Sequence, residues 1–403
     1  SFYFPREAYN DSASMARYMP DLARTIIPYY SNADHKVYLD NLFRFHIVAQ
    51  QYDESIKTMD SLLKLMGADV NEELKAMGIQ YRAYALTMLK EQSPERFDDE
   101  FTRTLKMLYS FLPEKAANLA ASYFDTNPAS FENTLDKLMT SLKESTDSIP
   151  LAEAALLCRH YNTVNVMNRI LELGKKTVAS LQNSQFNIQD SVLIKTKDGA
   201  TISATVIRKK EITTPLPVVF VFNIYAGPYD KMIAREAATR GYVGIVANTR
   251  GKRLSPEDID PFEYDSRDAY EIIDWISKQP WCNGKVGMYG GSYLGFSQWA
   301  TVKKVHPALK TIVPQVSVGI GIDYPMYNNV FMGYMLQWIH YVANNKLTDM
   351  DDFGNFERWD SFFKKWYASG KSFRSLDSLE GRPNKIFQRW LQHPSHDSYW
   401  QNM

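Results

Sequence analysis

In the first part of the chain, apolar side chains recur at steps of three and four. Val37, Leu39, Leu42, Phe43 and Phe45 form one such series, and Ile56, Met59, Leu62, Leu63 and Met66 another. This spacing lays one apolar stripe along a helix. The same period returns at about 71–89, 101–112, 128–142 and 150–181, between short polar or proline connections. Residues 1–185 are therefore predicted to form a helical array or bundle. Pairing of the helices suggests tetratricopeptide-like hairpins, yet no clean self-similarity at about 34 residues supports them.

From Phe186 the pattern changes. Two β-rich runs, 192–196 and 201–207, flank Lys197-Asp198-Gly199, a hairpin signal. The buried-strand run 217–222 follows, then a helical stretch over 231–240 stopped by Gly241, and a strand over 242–247. A helix over about 262–278 carries Ala269, Ile272, Ile273 and Ile276 on one side; Asn283-Gly284 reads as a turn into a short strand, 285–289. Another helix and a strand at 311–313 complete the alternation. Strand and helix in turn argue for an α/β domain over 186–324 with a mostly parallel, doubly wound sheet. Beyond Pro325 the aromatic-rich text loses the strand signal, and 325–403 reads as an inserted helical cap.

Composition narrows the classes. Forty-six basic residues balance 46 acidic ones, which excludes a nucleic-acid footprint. With 403 residues, 45% hydrophobic and 23% charged, the chain is long enough for two or three domains. No apolar run approaches the roughly 18 residues of a membrane span. Only Cys158 and Cys282 are present, so there is no disulfide scaffold; two free thiols are expected, with a single bridge as the alternative. Glycine is uneven: Gly67, Gly78 and Gly174 lie in the helical part, and 16 of the 19 follow it. The start Ser1-Phe2-Tyr3-Phe4-Pro5 has no initiator Met and reads as processed or trimmed.

The strongest chemical signal is Val286-Gly287-Met288-Tyr289-Gly290-Gly291-Ser292-Tyr293-Leu294-Gly295. A strand enters a glycine-rich turn and a helix starts at once, as in a nucleophile elbow. Small residues are needed where the backbone doubles back, and Gly290 and Gly295 supply that room. The helix beginning near Tyr293 aims N–H groups at an oxyanion formed by attack of Ser292 on a carbonyl. The second glycine of the usual G-x-S-x-G comes one position late, at Gly295, because Leu294 intervenes. A phosphate-binding or plain structural turn is the competing reading.

The match extends well beyond this turn. Gly227-Pro228-Tyr229-Asp230-Lys231, Thr249-Arg250-Gly251, Asp268-Ala269-Tyr270, Asp274-Trp275-Ile276, the block 279–295 and Gln298-Trp299 together resemble the CocE/NonD hydrolases, the Xaa-Pro dipeptidyl-peptidase-like serine hydrolases of peptidase family S15. The likeness runs from about Ile194 to the end of the chain. It implies an α/β-hydrolase core, incomplete here, with an N-terminal all-helical domain outside the catalytic core and a helical cap insertion. Asn248 departs from the aspartate common before Thr-Arg-Gly, which puts one local contact in doubt.

The resemblance further implies Ser292 as nucleophile, the Tyr293 backbone N–H as one oxyanion donor and the Tyr229 hydroxyl as the other. A phenol suits that task because it donates while staying neutral. Without the resemblance Tyr229 would read as a loop aromatic, and Tyr225 is its rival. The triad Asp and His follow the serine in such folds, on loops after later strands. Strands are legible only through about Val313, so both are expected beyond Met403. Of the four later histidines, His306 lies about 20 Å along the helix from Ser292. His340 sits in an aromatic helix, and His393 and His396 would need the terminal segment to fold back.

Two weaker motifs are set aside. Asp349-Met350-Asp351-Asp352-Phe353-Gly354 has Phe353 at a calcium-ligand position. In His393-Pro394-Ser395-His396-Asp397 the proline disrupts metal-helix spacing. No metal is expected, and without a Walker or Rossmann glycine loop no nucleotide cofactor either. The expected activity is a serine hydrolase working through an acyl-enzyme on a small ester, amide or short peptide. The alternative is a helical binding module, engaging a protein partner or itself, attached to an incomplete hydrolase fold. A secreted or periplasmic location is favoured over a cytoplasmic one.

Overall fold

Short acidic side chains start the first two helices, of which the hydrophobic pattern marks only the second. Asp11 accepts from the Ser14 N–H to open α1 (Ser12–Ile26), and Asp34 accepts from Lys36 and Val37 to open α2 (His35–Val48). Gly67, in the left-handed conformation at φ 85°, ends α3 (Tyr52–Met66). The computed structural model describes residues 1–91, 93–143 and 147–403. Contacts divide the chain into two units, Ser1–Ser184 and Gln185–Met403.

The first unit continues with α4 (Ile79–Lys90), α5 (Pro94–Ser110), α6 (Glu114–Ser122), α7 (Ala129–Lys143) and α8 (Leu151–Gln185). The single helical stretch expected at 71–89 is split: Glu72–Ala76 forms a 3-10 turn, and Gly78, at φ 72°, redirects the chain before α4. Helix α8 is 35 residues long and serves two apolar clusters. Its Ala154, Leu157 and Cys158 pack with Phe4, Met19 and Phe45, while its Val166, Ile170 and Val178 join Phe43, Phe101 and Phe124. One long helix thus spans both clusters of the array. A two-residue pair, β1 (Phe2–Tyr3) with β2 (Ser148–Ile149), ties the start of the chain to the residues before α8.

The second unit is built on a six-stranded sheet. Its strands are β3 (Phe186–Lys195), β4 (Thr201–Lys209), β5 (Leu216–Asn223), β6 (Val243–Asn248), β7 (Cys282–Gly291) and β8 (Leu309–Gln315). Their order is β3-β4-β6-β5-β7-β8. The β3–β4 hairpin and the β4–β6 pair are antiparallel, and the remaining pairs are parallel. Helices α9 (Tyr229–Thr239), α10 (Asp265–Ser277) and α11 (Tyr293–Val302) connect the parallel strands. The expected turn at Asn283-Gly284 falls within the irregular start of β7: Gly284 has φ 79°, and the pairing with β5 skips from Cys282 to Val286.

Beyond the sheet come β9 (Met326–Tyr327), β10 (Val330–Phe331), α12 (Tyr334–Ala343), α13 (Met350–Phe353), α14 (Phe356–Ser369), α15 (Leu376–Glu380), α16 (Lys385–Trp390) and α17 (Ser398–Gln401). The β9–β10 hairpin is not among the elements that the hydrophobic pattern predicts. Its turn residues Asn328 and Asn329 both have positive φ, 49° and 65°, the conformation that two-residue hairpins require. Aromatic side chains of this region, among them Trp338, Trp359 and Trp390, form one core with Phe262, Tyr293 and Phe296. Both cysteines are free thiols.

Candidate active site

Strand order reverses around β5, which has β6 on one side and β7 on the other. In an open α/β sheet the carboxyl ends of the strands at such a point flank a crevice. Here those ends carry the loop with Tyr225 and Tyr229 after β5 and Ser292 after β7.

Ser292 caps α11 with φ 57° and ψ −120°, a left-handed conformation that costs a non-glycine residue energy. The side chain is exposed, while Tyr293, Gly295 and Phe296 behind it are buried. Close packing leaves no room for side chains at the flanking glycines. A Cβ on Gly290 (φ 141°) would come within 2.5 Å of Leu294, and one on Gly295 within 2.9 Å of the Gln315 carbonyl and Ser317. The turn is fastened to the neighbouring strand as well. Ser292 N–H donates to Gln315 O at 3.1 Å. Gln298 Nε2 donates to Gly290 O and Leu294 O, and its Oε1 accepts from Val313 N at 2.8 Å.

Tyr293 is the first residue of α11, so its N–H has no acceptor within the helix and is available beside Ser292. Its side chain is fixed on all sides. The hydroxyl donates to Asp265 Oδ2 at 2.9 Å and accepts from Phe262 N–H at 3.1 Å. Burial, with Asp265 beside it, pushes the Tyr293 phenol well above the usual tyrosine range. Burial likewise raises Asp265 to about 7 against the opposing hydrogen bond from Tyr293.

Of the two candidate phenols, the structure brings Tyr225 to Ser292. Burial raises the Tyr225 pKa, while hydrogen bonds from Trp338 and Ser292 oppose the rise. Trp338 Nε1 lies 3.2 Å from the Tyr225 hydroxyl. Tyr229 opens α9, is 63% exposed, and adds to the burial that raises the Tyr341 phenol. The β5–α9 loop is held by Asp230, a buried carboxylate that accepts from Asn223 Nδ2 at 3.1 Å and Asn248 Nδ2 at 3.0 Å. Asn248 therefore supplies a donor where an aspartate would set two carboxylates together. Arg250 of Thr-Arg-Gly binds Asp268 and Asp198 and lies over the Tyr264 ring, hooking its loop to α10 and the β3–β4 turn.

The four later histidines are held elsewhere. His306 meets Asp274 and Tyr270, buried His340 meets Asp352, His393 pairs with Asp397 and stacks on Tyr399, and exposed His396 lies beside Gly321. In the calcium-like segment Asp349 caps α13, and Asp352 faces Arg358 and Arg382. No cluster of metal-ligating side chains occurs among the described residues. None of their helices is long and apolar enough to cross a membrane.

Sequence reasoning missed Asp265, Asp230 and the Trp338–Tyr225 contact. Carboxylates in the first turn of a helix ordinarily complement its dipole, so nothing in the text separates Asp265 from such residues. The Trp338–Tyr225 pair joins positions 113 apart.

The chain can be set beside known proteins. The family pattern for X-Pro dipeptidyl-peptidase (S15 family) matches residues 198–403. Cocaine esterase from Rhodococcus sp. (strain MB1 Bresler) is 27% identical over 183 residues, 42% of this chain and 31% of that one, so the chain spans about a third of this curated relative. Among solved structures, an α-amino acid ester hydrolase aligns with TM-score 0.42 and 20% identity over 54% of this chain and 39% of that one. A CocE/NonD family hydrolase from Staphylococcus aureus aligns with TM-score 0.39 and 17% identity over 53% and 38%. With its family match covering just over half of its residues, the chain belongs to the S15 family of CocE/NonD and X-Pro dipeptidyl-peptidase-like hydrolases, enzymes of esterase or peptidase type.

Proposed function

We propose that the protein is a serine hydrolase that cleaves a small ester, amide or short peptide through an acyl-enzyme on Ser292. The observation that carries this reading is the exposed Ser292 side chain on a left-handed backbone between β7 and α11. In the reaction, Ser292 Oγ attacks the carbonyl carbon and its proton passes to a base. The carbonyl oxygen becomes an oxyanion beside the Tyr293 N–H and a phenol. Collapse expels the alcohol or amine, and water then releases the acid. The matched esterase supports an ester among these substrates. Tyr229 is the phenol that the family likeness implies, and Tyr225 is favoured by its contact with Ser292.

The test is labelling of the protein, expressed from its complete gene, with a fluorophosphonate probe. Covalent labelling of the wild type and none of Ser292→Ala is the expected result. Equal labelling of both, or of neither, overturns the assignment.

A further inference from the structure

The β6–α10 segment lies against the Tyr293 side chain. It buries Asp265, 2% exposed, whose Oδ2 accepts the hydrogen bond of the Tyr293 hydroxyl at 2.9 Å. Asp265 Oδ1 has no hydrogen-bond partner among the described residues, so Tyr293 is the side chain this carboxyl serves. Three residues earlier, Phe262 adopts φ 74° and directs its N–H to the same phenol oxygen at 3.1 Å. The Tyr293 hydroxyl is thus held as donor and as acceptor by one segment.

Its ring is clamped too. Phe262 lies 4.6 Å from it between centroids, Phe296 5.9 Å, and Trp338 6.2 Å. Tyr225 packs edge-on against the same ring at 6.2 Å. A residue whose side chain is fixed this fully has little freedom in its own peptide unit. The Tyr293 N–H and the Tyr225 hydroxyl, both beside Ser292, therefore share one support.

We infer that Asp265 is a positioning residue for the reaction: through the Tyr293 hydroxyl it sets the direction of the Tyr293 N–H and the place of the Tyr225 phenol around the developing oxyanion. This rests on the reading of Ser292 as the nucleophile. Donors displaced by a fraction of an ångström still meet a bound substrate but fit the tetrahedral oxyanion poorly, so the loss falls on the chemical step.

The test compares Asp265→Leu, Asp265→Asn and Tyr293→Phe with the wild type. The readouts are p-nitrophenyl ester hydrolysis, inhibition by a phenylboronic acid as a tetrahedral mimic, and thermal unfolding. Asp265→Leu and Tyr293→Phe are expected to lower kcat by about 10- to 100-fold. KM should stay within about twofold, and boronate affinity should fall in step with kcat. Asp265→Asn keeps an acceptor oxygen and should hold kcat within about threefold. If Asp265→Leu does not fold, Tyr293→Phe carries the comparison. Wild-type kcat in a folded Asp265→Leu or in Tyr293→Phe overturns the inference, as does an Asp265→Asn as impaired as Asp265→Leu. Ester hydrolysis that survives Ser292→Ala removes the nucleophile reading, and the inference with it. Loss in Ser292→Ala with none in the Asp265 and Tyr293 variants sinks the inference alone.

Discussion

Lys252 and Lys346 reach past each other between the loop after β6 and the end of α12 with the loop that follows it. The Lys252 ammonium donates to the carbonyls of Val342, Asn345 and Leu347 at 2.7, 2.9 and 3.1 Å. Lys346 returns two bonds, to Ser255 O at 2.7 Å and Glu257 O at 2.9 Å. Lys252 is fully buried, and burial lowers its pKa to about 7, while Lys346 is exposed. The two substitutions should therefore differ. Lys252→Met strands three carbonyls and is expected to cost at least about 3 kcal/mol. Lys346→Ala, solvated at the same place, should cost under about 1 kcal/mol. Denaturant midpoints measure both, and equal effects would contradict the burial argument.

The backbone at Ser292 stores strain that glycine would not feel. Ser292→Gly is expected to unfold with a free energy about 1 kcal/mol higher than the wild type while hydrolysing nothing. Chemical denaturation and an ester assay on one preparation check both halves.

At Gly295 the obstruction is backbone, which cannot swing aside as a side-chain tip can. Gly295→Ala should destabilise by about 2 kcal/mol and lower kcat, because relief requires the segment after β8 to move from the elbow. Gly241 offers the contrast of strain without collision: an added Cβ would meet nothing within 4 Å, but φ is 83°. Gly241→Ala should destabilise without changing kcat, and thermal unfolding beside ester kinetics on the two variants checks the contrast.

Asp265 should leave a signature in the pH dependence of stability. Its carboxyl sits at about 7 when folded, raised by burial against the Tyr293 hydrogen bond, with Asp268 adding repulsion. The unfolded group titrates near 4. Between those values the folded state binds the extra proton, so this group's contribution is fully present below about pH 4 and is lost as pH rises through about 7. The loss amounts to roughly 4 kcal/mol. Unfolding free energies from pH 4 to 8 should fall more steeply for wild type than for Asp265→Asn, and parallel curves would place the ionisation elsewhere.

Paired substitutions decide between the two phenols. Removing an oxyanion donor costs about 10²- to 10³-fold in kcat. The effect is expected in Tyr229→Phe if the family likeness marks the donor, and in Tyr225→Phe if the resting contact with Ser292 does. Steady-state kinetics on an ester distinguishes them.

Much of the fold was legible because period and punctuation agree. The three- and four-residue steps before Phe186 became helices, and Lys197-Asp198-Gly199 became the β3–β4 turn, with Gly199 at φ 89°. The elbow was legible for the same reason, since its glycines answer local steric demands at Leu294 and Gln315. What the text could not convey joins distant positions. Asp265 and Tyr293 are 28 residues apart, and Lys252 and Leu347 are 95 apart. No periodicity links them. The Asn328-Asn329 hairpin is illegible because two-residue strands carry too few positions to show alternation.

Ser292 and Tyr225 are braced in part by different elements. Ser292 is moored to the sheet through Gln315 and Gln298, whereas the Tyr225 loop is steadied by Trp338 and by the Thr348 N–H bond to Ala226 O at 3.1 Å, both from the helical region beyond Pro325. If Ser292 is the nucleophile, substitutions beyond Pro325 reach the phenol beside it without loosening the serine's own bond to Gln315.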